Sequence, residues 1–482
     1  MVGLLVKPFP HPRVAGHVTG PAGQVWILHF RFLQQGLPLM EIGAKGLRIG
    51  EDRSGVTATE GTPATPPPRA RDRAPQCRHC GTPLRHTFVD LGMSPLCESY
   101  LSADQLNEME PFYPLHAHVC DVCYLVQVEE YVGPARIFSD YAYFSSYSDS
   151  WLRHARTYVA GAIERFGLDG HRLVVELGSN DGYLLQYFVA RGIPVLGIEP
   201  AANVARAATD RGVPTLVRLF DEDVARELTA AGRRPQLLIG NNVLAQVSDL
   251  NGFVRAMKLL LHRRGVITLE VPHLMRLVAD NQFDTIYHEH FSYFSFLTAE
   301  RVFAAHGLTI FDVEELPTHG GSLRLYVRHT EDLSRPITGG VVELRARETA
   351  AGLTDLAYYA SFGERVQDTK RRLLDFLISA KRQGRSIAGY GAPGKGNALL
   401  NYCGIRRDFL DYTVDRSPHK QGRFLPGTHI PILHPDALKA TRPDYVLILP
   451  WNLTAEIVEQ MAHVRDWGGR FVVPIPEVRV LA

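Results

Sequence analysis

One local plan occurs twice along this chain, and it narrows the possible folds more than any other feature. In "RLVVELGSNDGYLLQYFVARGIPVLGIEPA", Leu173 to Leu177 read as a buried strand, Gly178 to Gly182 as a turn, Tyr183 to Ala190 as a helix, and Val195 to Ile198 as a second strand closed by Glu199. "SIAGYGAPGKGNALLNYCGIRRDFLDYTVD" repeats the order and ends at Asp415. Two short apolar strands joined by one helix are parallel neighbours with a helical crossover, the unit of a doubly wound sheet. The runs "QLLIGNNV" and "GVITLEVP" extend the first sheet, and "DYVLILPWN" and "GRFVVPIPEV" extend the second.

The predicted fold class is therefore α/β: a small cysteine-bearing module followed by two Rossmann-like doubly wound domains. A chain of 482 residues with 45% hydrophobic content has room for several cores. The expected divisions are an irregular extension and linker at residues 1–70, a module at 71–135, a first α/β domain at 136–335 and a second at 336–482. "TATEGTPATPPPRARDRAP" reads as an extended linker, and Met40 is a candidate internal start. A formal charge of +1 gives no broad basic field, so nucleic acid is not an expected partner. No run approaches the length of a membrane span, and "MVGLLVKPFPHP" is too short for a secretory signal. A cytoplasmic monomer is the expectation.

Cys77-Arg-His-Cys80 and Cys120-Asp-Val-Cys123 are two knuckles about forty residues apart. The two-residue spacing lets both sulfurs of a turn reach one ion, so Cys77, Cys80, Cys120 and Cys123 form a candidate tetrahedral zinc site. Four thiolates leave no open position, and such a zinc supports the fold rather than the chemistry.

In "VVELGSNDGYLL", Glu176, Gly178, Asn180, Asp181 and Gly182 lie at a strand-to-helix turn, and Glu199 follows at the end of the next strand. Glycines admit a ligand to the backbone, and an acid after the second strand can accept from a ribose diol. The turn is closer to that of S-adenosylmethionine (SAM) enzymes than to a dinucleotide fingerprint. "GYGAPGKG" does contain a G-x-G-x-x-G at Gly389, Gly391 and Gly394, so an NAD(P)-dependent oxidoreductase of nucleotide sugars is a second reading. Lys395 in that loop favours an anion such as a diphosphate, with amides at the helix start sharing the charge. A third reading is a non-enzymatic zinc protein acting as a nucleic-acid adaptor.

"TIYHEHFSYFSF" is dense in groups that are costly to bury unless partnered. Tyr287, Glu289 and His290 share no face of a regular strand, so only an irregular segment brings all three together. A histidine base, a carboxylate and a phenol are the parts for removing a proton next to a carbonyl.

These residues resemble the SAM-dependent sugar C-methyltransferases that act on nucleotide-linked ketodeoxysugars in antibiotic biosynthesis. The resemblance runs from about Cys77 to the C-terminus through "CRHCGTPL", "DLGMSPLCESYL", "VELGSNDGYLL", "GIEPAANVA", "NNVLAQVSDL", "YHEHFSYFS", "HGGSLRLY" and "GYGAPGKGNALLNYCGI", in the family's order. It implies a zinc-binding N-terminal module, a central domain holding SAM and a C-terminal domain helping to hold the nucleotide sugar. It further implies that His290 is the general base, supported by Glu289, with Tyr287 and Tyr141 at the keto oxygen. Asn241 joins the implied cofactor residues, and Gln246, Lys395 and Asn397 the implied sugar-nucleotide residues. The implied substrate is a thymidine-diphosphate 4-keto-deoxyhexose methylated at C3. One departure stands out: Gln246 occupies a position where the family usually has histidine.

Overall fold

The computed structural model describes residues 13–19, 25–31, 75–138 and 144–481. The chain divides into two units, Met1–Pro67 and Pro68–Ala482. In the first, β1 (Arg13–Thr19) pairs antiparallel with β2 (Val25–Arg31). Both strands lie within residues 1–70, where a disordered or irregular extension and linker was expected. The run from Val25 to Phe30 is rich in branched and aromatic residues that favour a pleated pair.

The described residues of the second unit form three sheets. β3 (His86–Ser94), β4 (Tyr113–Val119) and β5 (Val126–Val128) form an antiparallel set beside the cysteine knuckles. Next come β6 (Val174–Leu177), β7 (Val195–Ile198), β8 (Thr215–Leu216), β9 (Leu237–Asn241) and β10 (Val266–Pro272), all parallel to their neighbours. The two-residue β11 (Ser292–Tyr293) leaves this sheet and pairs with β5 instead, giving the module the order β11-β5-β4-β3. β12 (Leu308–Leu316) and β13 (Ser322–His329) return antiparallel, so the large sheet runs β12-β13-β10-β9-β6-β7-β8.

The third sheet is built from β14 (Ile387–Tyr390), β15 (Thr413–Val414), β16 (Ile432–Leu433), β17 (Tyr445–Ile448), β18 (Arg470–Val473) and β19 (Arg479–Leu481). Its order is β16-β15-β14-β17-β18-β19, parallel except for the last strand. Both repeated plans thus fold as read: all eight residues of β6 and β14 are buried, as strands covered on both faces must be.

The core does not respect the three-part division. One buried cluster joins Phe88 and Leu115 of the module, Phe283 and Ile286 ahead of His290, and Phe362 and Leu373 of the helix Phe362–Arg382. Phe88 stacks on Phe362 with ring centres 4.4 Å apart. A continuous apolar core of this kind fixes neighbouring elements against one another, because interiors pack at crystal-like density.

Candidate active site

A cavity of about 680 Å³ opens at the carboxyl ends of β6, β7 and β9, where ligands of doubly wound sheets bind. Gly178, Asn180, Glu199 and Asn241 line it. Gly178 has a φ of +62°, and a Cβ there would lie 2.5 Å from Val243 Cγ2, so only glycine keeps this wall open. Glu199 accepts from the Asn180 amide at 3.0 Å and the Ala201 amide at 2.9 Å, which fixes its carboxylate at the strand end. Burial raises its pKa while those amides pull it back. A glycine cradle beside an oriented acid fits the adenosyl and ribose portions of SAM.

Three expected cofactor residues do not reach the cavity. Glu176 and Asp181 are completely buried behind the turn, and neither they nor Gly182 line the cavity. Asp181 pairs with Arg211 at 2.9 Å and accepts from the Ser146 amide at 3.2 Å. Gly182 is a packing glycine, since a Cβ would crowd Val213 and Ala208 at 3.1 to 3.3 Å. These three shape the turn from behind.

The wall of the same cavity also carries Tyr287, Glu289 and His290. Residues 286–291 form no regular element, and the His290 amide closes a turn on the Tyr287 carbonyl at 2.9 Å. The irregularity needed for convergence is therefore present. His288, between them, points away and bonds the Pro114 carbonyl of the module at 3.0 Å.

The His290 Nδ1–H donates to the Thr285 carbonyl at 3.0 Å, which leaves Nε2 as the unprotonated nitrogen. Burial drops its pKa to about 4; the Thr285 bond opposes that and the charge of Lys395 adds to it. The group bonded to Nδ1 is thus a backbone carbonyl rather than the Glu289 expected to support this ring. Glu289 instead accepts from the Cys97 thiol at 3.3 Å. Burial raises the Tyr287 phenol far above its ordinary range, so it stays a proton donor. Tyr141 lies outside the described residues.

Gln246 lines the same cavity at the end of the short turn Leu244–Gln246. That turn is tied to the histidine segment, because the Phe291 amide donates to the Ala245 carbonyl at 2.7 Å. His319, not singled out in the sequence, also lines the cavity; its Nε2 lies 3.1 Å from Asn242 Nδ2, and its φ is +54°. The signal available was "HGG", a polar residue ahead of two turn-forming glycines.

The loop "GYGAPGKG" does not form the anion cradle its pattern suggests. The Gly394 amide at the start of helix Gly394–Cys403 donates to Glu98 of the module at 3.0 Å, and the Ala392 amide donates to Asp415 at 2.7 Å. The chain's own carboxylates take the place of a dinucleotide phosphate. Lys395 lines the cavity and donates to Asn452 at 2.8 Å. Asn397, expected at the substrate, lies two residues further; it is fully buried in the helix and is not among the residues lining the cavity.

The four knuckle thiols lie within 4.8 Å of one another. Sulfur separations of 3.5 Å (Cys77 to Cys123), 3.5 Å (Cys80 to Cys120) and 3.7 Å (Cys80 to Cys123) approach the edge of about 3.8 Å that a tetrahedron of Zn–S bonds requires. Gln127 Nε2 donates to Cys77 at 3.2 Å, and Gln127 is also the β5 residue paired with Ser292 of β11.

Comparison with known proteins extends this picture. Residues 77–138 match a candidate zinc-binding domain, residues 151–313 a methyltransferase domain and residues 317–476 a C-methyltransferase C-terminal domain. The chain is 35% identical over 407 residues to C-methyltransferase NovU of Streptomyces niveus, covering 84% of this chain and 97% of the relative. Among solved structures, the SAM-bound magnesium protoporphyrin IX methyltransferase of Synechocystis is 15% identical, covering 37% of this chain and 79% of that one, with a TM-score of 0.28. The 1,6-didemethyltoxoflavin-N1-methyltransferase of Burkholderia thailandensis is 15% identical, covering 43% and 95%, with a TM-score of 0.30. Likeness at that level bears on neither substrate nor chemistry.

Proposed function

Because this chain belongs to the SAM-dependent C-methyltransferase family, we propose that its acceptor is the carbon beside the ketone of a nucleotide-linked 4-keto-deoxyhexose, with C3 of a thymidine-diphosphate sugar favoured. The observation that carries the reading is His290: a neutral ring in the cavity wall, its Nδ1–H held by Thr285, its Nε2 left as acceptor. His290 Nε2 takes the proton from the acceptor carbon, and the C–H electron pair becomes that of an enolate. Tyr287 donates to the developing enolate oxygen, and Lys395 adds positive charge on the same wall. Bound SAM supplies an electrophilic methyl group. The chain's part in the second step is alignment, holding the enolate carbon in line with that methyl while water is kept out.

Gln246 holds the sugar through its amide, which can donate and accept but cannot carry a proton through a cycle at neutral pH. The dinucleotide alternative loses its main support, since Glu98 occupies the amide at the head of the glycine loop's helix. Incubation with SAM and a panel of nucleotide-linked ketosugars, followed by mass spectrometry, tests the proposal. A single added methyl on a 4-ketosugar is expected; transfer to none of them contradicts it.

A further inference from the structure

The base at His290 depends on a backbone carbonyl, and that carbonyl belongs to a turn gripped by another part of the chain. The turn is the short helix Phe283–Thr285, whose last residue accepts from His290 Nδ1. Three side chains from beyond residue 360 hold it and Asn281 just ahead of it. Asn281 Nδ2 donates to Thr369 Oγ1 at 2.5 Å, and Phe283 meets Tyr402 edge to face at 5.4 Å. The third is Trp451 Nε1, which donates to Asp284 Oδ2 at 2.7 Å.

Trp451 also touches the other groups around the cavity. Lys395 Nζ sits 4.9 Å from the centre of its ring. The glycine after His319 packs so closely on it that a Cβ on Gly320 would lie 2.5 Å from the indole. Asp284 is completely buried, and a buried carboxyl without a donor carries a large desolvation cost. Burial pushes its pKa up to about 7, while the Lys395 charge, the Trp451 bond and the amides of Asp284 and Thr285 pull it down.

We propose that Trp451 is a positioning residue for catalysis: by hydrogen-bonding Asp284 it fixes the turn whose Thr285 carbonyl sets the tautomer and direction of His290. The proposal rests on the reading of His290 as the base. It makes the C-terminal domain part of the proton-transfer apparatus rather than only a support for the nucleotide. Trp451 touches no reacting atom, so its effect appears in the proton step and not in cofactor affinity.

Two readouts test it on the full-length protein. The first is hydrogen–deuterium exchange at the carbon beside the ketone of a 4-ketosugar nucleotide, with S-adenosylhomocysteine bound, which isolates proton removal from methyl transfer. Trp451→Phe keeps a ring over Lys395 and removes the N–H; Asp284→Ala removes its acceptor. Each is expected to slow exchange about tenfold or more, since small misplacements of a catalytic group cost up to about 10²-fold. The double variant falls no further than either single one, because both break the same bond. Asp284→Asn retains an acceptor oxygen and restores most of the rate. SAM affinity stays within about twofold throughout.

The second readout needs no acceptor: ¹⁵N resonances of the His290 ring, assigned with His290→Asn, report one neutral tautomer in the wild type and a mixture in Trp451→Phe and Asp284→Ala. Wild-type exchange and an unchanged tautomer in either variant overturn the proposal, so a failure of one variant to fold leaves the other to decide. If His290→Asn exchanges normally, the base assignment itself has failed; if only His290→Asn is slow, the base stands and the role of Trp451 falls.

Discussion

A histidine serves as a base only if it is unprotonated and aimed, and at His290 both conditions come from its surroundings. With a pKa near 4 in place of 6.5, the ring is neutral at all working pH. The acid side of a kcat/KM profile is therefore expected to stay flat through pH 6.5 and to fall only as pH drops towards 4; an inflection at 6.5 would place the base elsewhere. His290→Asn is expected to lower methyl transfer by about 10²- to 10⁴-fold with SAM affinity within a few-fold, measured by turnover and by calorimetric titration. Gln246→His should keep or modestly change the rate; a large gain would show that the family's histidine does chemistry which this chain lacks. That Tyr287, Glu289 and His290 converge on one cavity was legible because so many polar tips in so few residues need a shared destination. Thr285 was not, because it acts through a carbonyl that every residue has. That Asn397 would be buried off the cavity lining was not legible, because a glycine loop does not reveal the phase of the helix that follows it.

The segment from Asn281 to Tyr293 is held chiefly by elements outside the parallel methyltransferase sheet. Its first half is bound to the C-terminal domain through Thr369, Tyr402 and Trp451, and its second half to the module through Pro114, Cys97 and β5. The zinc site belongs to this support, since Gln127 joins Cys77 to the strand that pairs with β11. Cys120→Ser is expected to lower the melting temperature or the soluble yield, because structural zinc contributes folding free energy directly. Metal analysis should give about one zinc per chain in the wild type; a metal-free preparation melting at the same temperature would contradict this. The strand–turn–helix–strand plans and the knuckles could be read because their signals are local. The pairing of β11 with β5 could not, since a two-residue strand has no period and its partner lies more than a hundred and sixty residues away.

At the scale of the whole molecule, a methyltransferase sheet has been combined with two neighbours that share its core and reach into its cavity. Glu98 lines it from the module and Lys395 from the C-terminal domain, while Cys97 and Trp451 bond Glu289 and Asp284 from outside it, so the wall around His290 is complete only when all three parts are in place. Among the described residues, no helix is long and apolar enough to cross a membrane. The order of domains was legible in the sequence because each carries its own motif. Their shared core was not, because Phe88 and Phe362 acquire meaning only by stacking on each other. The central claim is that this chain makes a carbon–carbon bond beside a ketone after proton removal by His290. The most direct test uses SAM labelled with ¹³C in its methyl group, a thymidine-diphosphate 4-keto-deoxyhexose deuterated at C3, and NMR of the product. The account predicts a ¹³C-methyl bonded to ring carbon C3 with the deuterium lost, and no such product from His290→Asn; a methyl on oxygen, or deuterium retained at C3, would contradict it.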